Sequence, residues 1–249
     1  MTGTASAASP EPRPALRNAL ATPDGKARYV RRLFSTIADR YDFITAFLSY
    51  GQDRRWKARL VAMAQVSPGA RVLDLACGTG DITFTLRDAG ALAVGLDITP
   101  RMVELACDKR GPGKQPQFLV GDMMHLPFTD ASFEVVTTGY GIRNVPVIAP
   151  ALAEIRRVLR PGGVLLSLDF NRPSGRGLRA IYLAYLTVVG STLGLVLHGD
   201  PDTYRYIPES IRRYPGAEGV CAVARDQGFA ACEWVPVLGG LMAIHRAVR

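Results

Sequence analysis

At 249 residues and 48% hydrophobic content, the chain is long enough for one full α/β domain with an ample core, and no second domain is needed. A net charge of +8 and a pI near 9.6 favour an acidic partner, either nucleic acid or an anionic membrane surface; charge alone does not choose between them. Four cysteines (77, 107, 221 and 232) lie far apart, with no C-x-x-C and no histidine at metal spacing, and they read as reduced core thiols of a cytoplasmic protein.

Residues 1–22, dominated by Pro, Ala and Ser, lack the apolar segment of a secretory signal and are expected to be disordered. Residues 26–48 carry apolar side chains at helical spacing (Tyr29, Val30, Leu33, Phe34, Ile37), which predicts an amphipathic helical region broken near Tyr41-Asp42. A second helix over 54–64 follows, and Pro68-Gly69 turns the chain into a strand. Strands over 71–75, 92–97, 116–121, 133–138 and 163–169 then alternate with helices over 80–88, 100–109 and 148–159, and strands over 230–237 and 239–246 close the chain. That pattern predicts one domain over 23–249: an α/β fold with a mostly parallel, seven-stranded sheet covered by helices on both faces. Between the fifth and sixth strands the pattern changes. Residues 180–197, AIYLAYLTVVGSTLGLVL, carry no charge over about eighteen positions, the threshold of a membrane span. Thr187, Gly190, Ser191, Thr192 and Gly194 lower the hydrophobicity and the chain must return to finish its sheet, so we read a hydrophobic helix pair within a cover over about 175–213. DTYRYIPESIRRYP (202–215) lacks clean periodicity and reads as a site-lining loop and short helix.

The stretch VLDLACGTGD (72–81) reads as strand, tight turn and helix. Gly78 and Gly80 remove side chains that would keep a ligand off the backbone, and the first N–H groups of the next helix point into the same space. A dinucleotide fingerprint would want glycine where Thr83 stands, and a phosphate loop would want Gly-Lys-Ser/Thr; neither is present. Asp74 and Asp81 would repel a pyrophosphate. A ligand with an ammonium, a sulfonium and a ribose but no phosphate fits these residues: S-adenosylmethionine. Asp97, about twenty residues further on, ends the next apolar run, where an acid accepts both ribose hydroxyls. Asp122 ends the third strand in GDMMHLPF and is placed to take the adenine amine, with Met123 as an apolar plate under the ring. His125, His198 and His245 form no triad with a serine elbow and no H-E-x-x-H, so no metal site is expected.

VLDLACGTGD, GLDITPRMVELA, GDMMHLPF, TTGYGIRNV and RRVLRPGG together resemble class I S-adenosylmethionine-dependent methyltransferases. FSTIADRYDFITAFLSYGQDRRWK, GYGIRNV followed by VIAPALAEIRRVLRPGG, and DTYRYIPESIRRYP narrow the likeness to the ubiquinone/menaquinone-biosynthesis C-methyltransferases, over residue 26 to the end. The resemblance implies the class I Rossmann-like fold, S-adenosylmethionine as cofactor, and methylation of a ring carbon of demethylmenaquinol or of a polyprenyl-benzoquinol. It implies cofactor contacts from Asp74, Gly78, Thr79, Gly80, Asp97, Ile98, Asp122, Met123 and Gly139, and quinol-side roles for Arg143, Asn144 and Tyr41. The family often has Asn where Thr45 stands and Phe where Tyr140 stands.

An aromatic carbon is a poor nucleophile until a neighbouring phenol loses its proton. With a quinol pKa of about 10, stabilising the oxyanion is the main electrostatic task. Arg143 suits it, because its guanidinium stays protonated; Asn144 can orient a water or hydroxyl, and Tyr41 can relay a proton or stack on the ring. The expected partners are a prenylated quinol and an anionic membrane met peripherally on its inner, cytoplasmic face, with no nucleic acid and with a homodimer left open. The motive for the membrane is the uncharged run 180–197 flanked by Arg176, Arg179, Arg205, Arg212 and Arg213. Two other readings compete. A nucleic-acid methyltransferase would account for the pI but would place an N/D-P-P-Y/F-like stacking motif where Thr138-Gly139-Tyr140-Gly141 stands. Against a non-catalytic cofactor-binding protein stand the intact glycines and acids of the turn.

Overall fold

The computed structural model describes residues 16–111, 115–173 and 175–249. Helices α1 (Leu16–Ala19), α2 (Pro23–Ile37), α3 (Tyr41–Leu48) and α4 (Asp53–Ala64) precede strand β1 (Arg71–Leu75). Then follow α5 (Asp81–Asp88), β2 (Leu92–Asp97), α6 (Pro100–Asp108), β3 (Gln117–Val120), β4 (Phe133–Gly139), α7 (Ile148–Val158) and β5 (Leu159–Phe170). Helices α8 (Arg176–His198), α9 (Asp202–Arg213) and α10 (Gly216–Asp226) lead to β6 (Ala231–Val237) and β7 (Met242–Val248).

The seven strands form one sheet in the order β3-β2-β1-β4-β5-β7-β6. All neighbours are parallel except β7, which runs antiparallel to both β5 and β6. Consecutive residues feed opposite layers, as the two-residue period of a strand demands. Val72, Val135 and Leu166 pack with Leu60 and Val61 of α4 and Ile82 and Leu86 of α5. Leu73, Val136 and Leu165, each adjacent in sequence to one of those strand residues, pack with Leu152 and Ile155 of α7 and Val220 and Ala224 of α10. From β1 the chain moves outward to β2 and β3 and then returns to β4 on the other side of β1. A crevice therefore opens beyond the carboxyl ends of β1 and β4, where ligands bind in sheets of this kind.

Over that crevice lies a separate helical layer. Val30, Leu33 and Ile37 of α2 and Ile44 of α3 bury against Tyr204 and Tyr206 of α9, while Tyr182, Leu183 and Leu186 of α8 bury against Ile211. Residues 180–197 belong to one continuous helix, α8, rather than a helix pair, and 202–213 is helical throughout although Pro208 lies inside it. An interior proline costs about 3 kcal/mol; complete burial of Tyr204, Tyr206 and Ile211 offsets that, a tertiary gain invisible to local pattern. Gly190 and Gly194, which dilute the hydrophobicity of the run, are packing sites instead. A Cβ at Gly190 would stand 3.1 Å from the Tyr204 carbonyl oxygen, and one at Gly194 would collide with that of Asp200.

The outer face of α8 exposes Leu178, Ile181, Val188, Leu195 and Val196, and only 22% of its most apolar window is buried. Among the described residues it is the helix long and apolar enough to cross a membrane by length and composition. Of the segment expected to be disordered, residues 1–15 lie outside the described residues; Leu16–Ala19 is helical, and Ala19 and Leu20 are buried. The last strand begins at Met242, later than expected, because Leu238–Gly240 forms a 3-10 turn with Gly239 and Gly240 at positive φ. Cys221 of α10 and Cys232 of β6 are joined as a disulfide, their Cα atoms 5.1 Å apart, which corrects the expectation of four reduced thiols; Cys77 and Cys107 are free.

Candidate active site

Two cavities meet beyond the ends of β1 and β4. The first is lined by Gly78, Asp97, Ile98, Asp122, Met123 and Gly139, together with Ala76, Met102 and Gly141. The second, of about 470 Å³, is lined mostly by apolar and aromatic side chains from α2, α3, α8 and α9, with Arg143 among them. That volume falls in the range of roughly 300–1,000 Å³ usual for small-molecule sites. Phe34, Tyr41, Tyr140 and Asn144 line both cavities and so mark their junction. Backbone strain gathers at the same place. Ala76 after β1 and Tyr140 after β4 both hold left-handed conformations, with φ of 50° and 62°.

The first cavity suits an adenosyl group. Asp97 is buried at the end of β2, where its two oxygens accept the N–H groups of Gly78 (2.9 Å) and Thr99 (2.8 Å). These bonds fix the carboxylate and leave it further lone pairs for a vicinal diol. Burial pushes its pKa up, and the backbone donors oppose that shift. Ile98 and Met123 supply apolar walls, and Asp122 is held by the N–H of Met124 at 2.9 Å. A Cβ on Gly78 would meet only the Tyr41 ring, at 3.6 Å, so the missing side chain leaves this face open to a ligand. The residues present therefore fit S-adenosylmethionine.

The other residues of the turn do something else. Asp74 lies outside the lining: its oxygens accept the hydroxyls of Thr83 (2.6 Å) and Thr137 (2.9 Å), so it braces β1 against α5 and β4 rather than reaching a ligand. Burial pushes its carboxyl up to about 7, against the hydroxyl donors that pull it down. Gly80 faces away from the cavity, where a Cβ would lie 2.9 Å from the rings of both Phe84 and Phe118; its φ of 89° at the start of α5 is the second reason for glycine. Thr79 donates to Asp42 at 2.5 Å and lines a small side cavity with Tyr41, Lys57 and Asp81. Burial raises the Cys77 thiol well above its ordinary pKa, which leaves it inert.

On the second cavity, Arg143 is buried and held from two directions. Its backbone N–H and its Nε donate to Asp169 at 3.0 and 3.2 Å, and its Nη1 donates to Ser210. Its guanidinium also lies over the rings of Phe170 and Tyr206, 5.1 and 5.7 Å from their centroids. Asn144 donates to the Tyr140 carbonyl (2.7 Å) and accepts from the Tyr206 hydroxyl (2.8 Å). Asp169, Ser210 and Tyr206 were missed by sequence reasoning. For Asp169 a signal existed, since it is next to last in β5 as Asp97 is last in β2; for Ser210 and Tyr206 nothing local marks them.

Parallel strands tipped by acids, wrapped around a glycine turn and opening on a second, apolar chamber, are the working parts of a class I S-adenosylmethionine-dependent methyltransferase. Solved structures share the fold. A methyltransferase from Thermotoga maritima superposes with a TM-score of 0.64 at 19% identity, over 88% of this chain and 99% of that one. Magnesium protoporphyrin IX methyltransferase from Synechocystis PCC 6803, solved with bound S-adenosylhomocysteine, gives 0.64 at 22% identity, over 89% and 99%. Residues 22–249 match the model of the ubiE/COQ5 methyltransferase family, and the chain belongs to that family. Among its relatives is the demethylmenaquinone methyltransferase of Mycobacterium sp. (strain KMS), 36% identical over 92% of this chain and 97% of that protein. Another is the ubiquinone/menaquinone biosynthesis C-methyltransferase UbiE of Dinoroseobacter shibae, 40% identical over 89% and 91%.

Proposed function

We propose that this enzyme methylates a ring carbon of a prenylated quinol, a demethylmenaquinol or a polyprenyl-benzoquinol. The observation that carries the reading is the junction: the cavity lined by Asp97, Asp122 and Met123 opens, at Tyr41, Tyr140 and Asn144, onto an aromatic chamber whose buried cation is Arg143. A flat ring with an apolar tail fills such a chamber, and a guanidinium beside it stabilises the oxyanion through which the ring becomes nucleophilic. When bound, S-adenosylmethionine supplies an electrophilic methyl. Gly78, Asp97, Ile98, Asp122, Met123 and Gly139 are its contacts. Asp169 and Ser210 hold the Arg143 fork in place, and Tyr206 orients Asn144. Only the reduced substrate reacts, because a quinone carbonyl has no proton to lose and withdraws density from the ring.

A tail-bearing substrate is met at a membrane, and the mouth of the chamber supports that. Phe43, Phe47 and Tyr50, on and just after α3, and Ile181, Tyr185 and Val188 on α8 are exposed, and the Tyr50 and Tyr185 hydroxyls meet at 2.5 Å. Arg176 and Arg179 open α8 with positive charge. Arg205, Arg212 and Arg213 are turned to Asp202 and Glu209, so the basic rim is carried by the start of α8. The protein is thus a peripheral guest on the inner face of an anionic membrane.

The deciding assay incubates the protein with labelled S-adenosylmethionine and, in parallel, dithionite-reduced short-chain demethylmenaquinol, demethoxy-benzoquinol and bulk tRNA. Methyl transfer to a quinol is expected; transfer to tRNA alone would overturn the reading. Arg143→Ala should lower kcat by about a hundredfold or more with little change in cofactor affinity, and Arg143→Lys should restore little. Co-sedimentation with anionic vesicles should weaken with salt and with Ile181→Asp; no binding at low salt would remove the membrane from the account.

A further inference from the structure

Replacing a ring C–H by C–CH3 releases one proton, and the junction where this happens is roofed by helices. An outlet is needed. Two phenols stand there, and they are held differently. Tyr41 is bonded to Thr45, and burial pushes its pKa up to about 12. Tyr140 donates instead to a carboxylate, Oδ1 of Asp53, at 2.6 Å. Asp53 is 5% exposed, and its other oxygen lies 2.6 Å from Nζ of Lys57. The same ammonium lies 3.0 Å from Asp81, whose side chain is 42% exposed. Tyr140, Asp53, Lys57 and Asp81 therefore form an unbroken polar path from the junction to solvent.

We propose that Asp53, acting through the Tyr140 hydroxyl, accepts the proton that the quinol gives up, and that Lys57 and Asp81 pass it to solvent; this rests on the quinol reading above. The step balances. The quinol O–H breaks and its proton goes to Oη of Tyr140, whose own proton moves to Oδ1 of Asp53. The electron pair left on the quinol oxygen flows through the ring to the carbon that takes the methyl; the new C–CH3 bond replaces the methyl–sulfur bond of the donor, whose pair stays on the now neutral sulfur. The hydrogen on that carbon then moves to the oxygen as the ring regains aromaticity. The one proton released is the one on Asp53. Lys57 stays an ammonium throughout: one of its three hydrogens moves to Asp81 as its nitrogen takes the proton from Asp53, and the exposed Asp81 carboxyl gives that proton to water. Tyr140 is the catalytic residue of the pair, since it lines both cavities, and Asp53 acts through it; family members with Phe at this position lack the hydroxyl, so the relay is a feature of this chain. The titratable groups that face Asp53 are Tyr140 from the end of β4, Tyr41 from α3 and Lys57 from its own helix.

The test uses the full chain with reduced short-chain demethylmenaquinol, in single turnover, for wild type, Asp53→Asn and Tyr140→Phe. Both variants should transfer methyl about a hundredfold more slowly, the usual size of a positioned acid–base group, with the Kd for S-adenosylmethionine within twofold of wild type. Their rates should climb tenfold per pH unit towards the pKa of the free quinol, while wild type stays flat between pH 7 and 9. A ring-fluorinated quinol, with the accepting carbon left open and a more acidic hydroxyl, should restore most of the lost rate. Variants with the wild-type rate and pH profile would overturn the relay, as would a slow rate that fluorination leaves unchanged. A loss of cofactor affinity that accounts for the whole rate defect would assign Asp53 and Lys57 to the methionine end of the cofactor and also overturn it. If wild type itself leaves the quinol unmethylated, the functional reading has failed and the relay falls with it; wild-type turnover with unaffected variants sinks the relay alone. Should Asp53→Asn not fold, Tyr140→Phe, which removes one oxygen at a partly exposed side chain, decides the matter.

Discussion

Asp169→Ala offers a sharp test of how the substrate side is held together. The Arg143 side chain is 4% exposed and that of Asp169 is 0% exposed, so neither charge is screened by water. Truncating the acid leaves a guanidinium buried without its anion and frees the backbone N–H groups of Arg143 and Phe170, which donate to the carboxylate at 3.0 and 2.8 Å. Removing one partner of a buried pair costs about 3–5 kcal/mol, and stranding a buried N–H adds about 1 kcal/mol or more. Replacing both ends by apolar groups of similar size avoids the stranded charge, so Arg143→Met with Asp169→Leu should recover most of that loss. The measurement is urea denaturation of wild type, Asp169→Ala and the double variant, paired with calorimetric titration of S-adenosylmethionine and with quinol turnover. We expect a large loss of stability for the single variant, near-wild-type stability for the double variant, wild-type cofactor affinity in the double variant, and no turnover in it. A cost below about 1 kcal/mol for Asp169→Ala would refute the argument that the pair is desolvated. A double variant as unstable as the single one would show that the loss comes from the backbone bonds instead.

Asp97→Ala should weaken S-adenosylmethionine binding by about a hundredfold or more, the loss of charge-assisted bonds to a diol, with the circular dichroism spectrum unchanged; an unaltered Kd would remove Asp97 from the site. Gly80→Ala should cost about 2–4 kcal/mol, from a left-handed φ plus overpacking against Phe84 and Phe118; an unshifted denaturation midpoint would refute this. Asp74 supplies a pH test. Its carboxyl is raised from 3.8 to about 7 in the fold. The native state thus holds the proton more tightly than the unfolded chain does. Its contribution is most favourable below pH 4 and is lost as pH rises through 7. Asp74→Asn should therefore be near neutral at pH 4 and stabilising by about 1–3 kcal/mol at pH 8; parallel Tm curves against pH would contradict it.

What the sequence by itself determined is what short-range chemistry controls. The alternation of apolar runs with helical spacing gave the sheet and its layers, because period two and period 3.6 are read within a dozen residues. Gly78 in its turn and the acids Asp97 and Asp122 beside the ends of β2 and β3 line the first cavity and were legible for the same reason: strand, turn and helix N-terminus are contiguous in the chain. Contiguity also misled. Asp74 and Gly80 sit in the same ten residues as Gly78, yet the strand's alternation and the packing of Phe84 and Phe118 turn them away from the first cavity. The tertiary structure alone decided the partners of Arg143 and Tyr140. Arg143 meets Asp169 and Ser210 from 26 and 67 residues away, and Tyr140 meets Asp53 across 87. No local propensity encodes such pairs. They exist because the roof helices α8 and α9 and the amino-terminal helices close over the sheet, driven by burial of tyrosines and aliphatic side chains that carry no sign of which polar groups they will bring together.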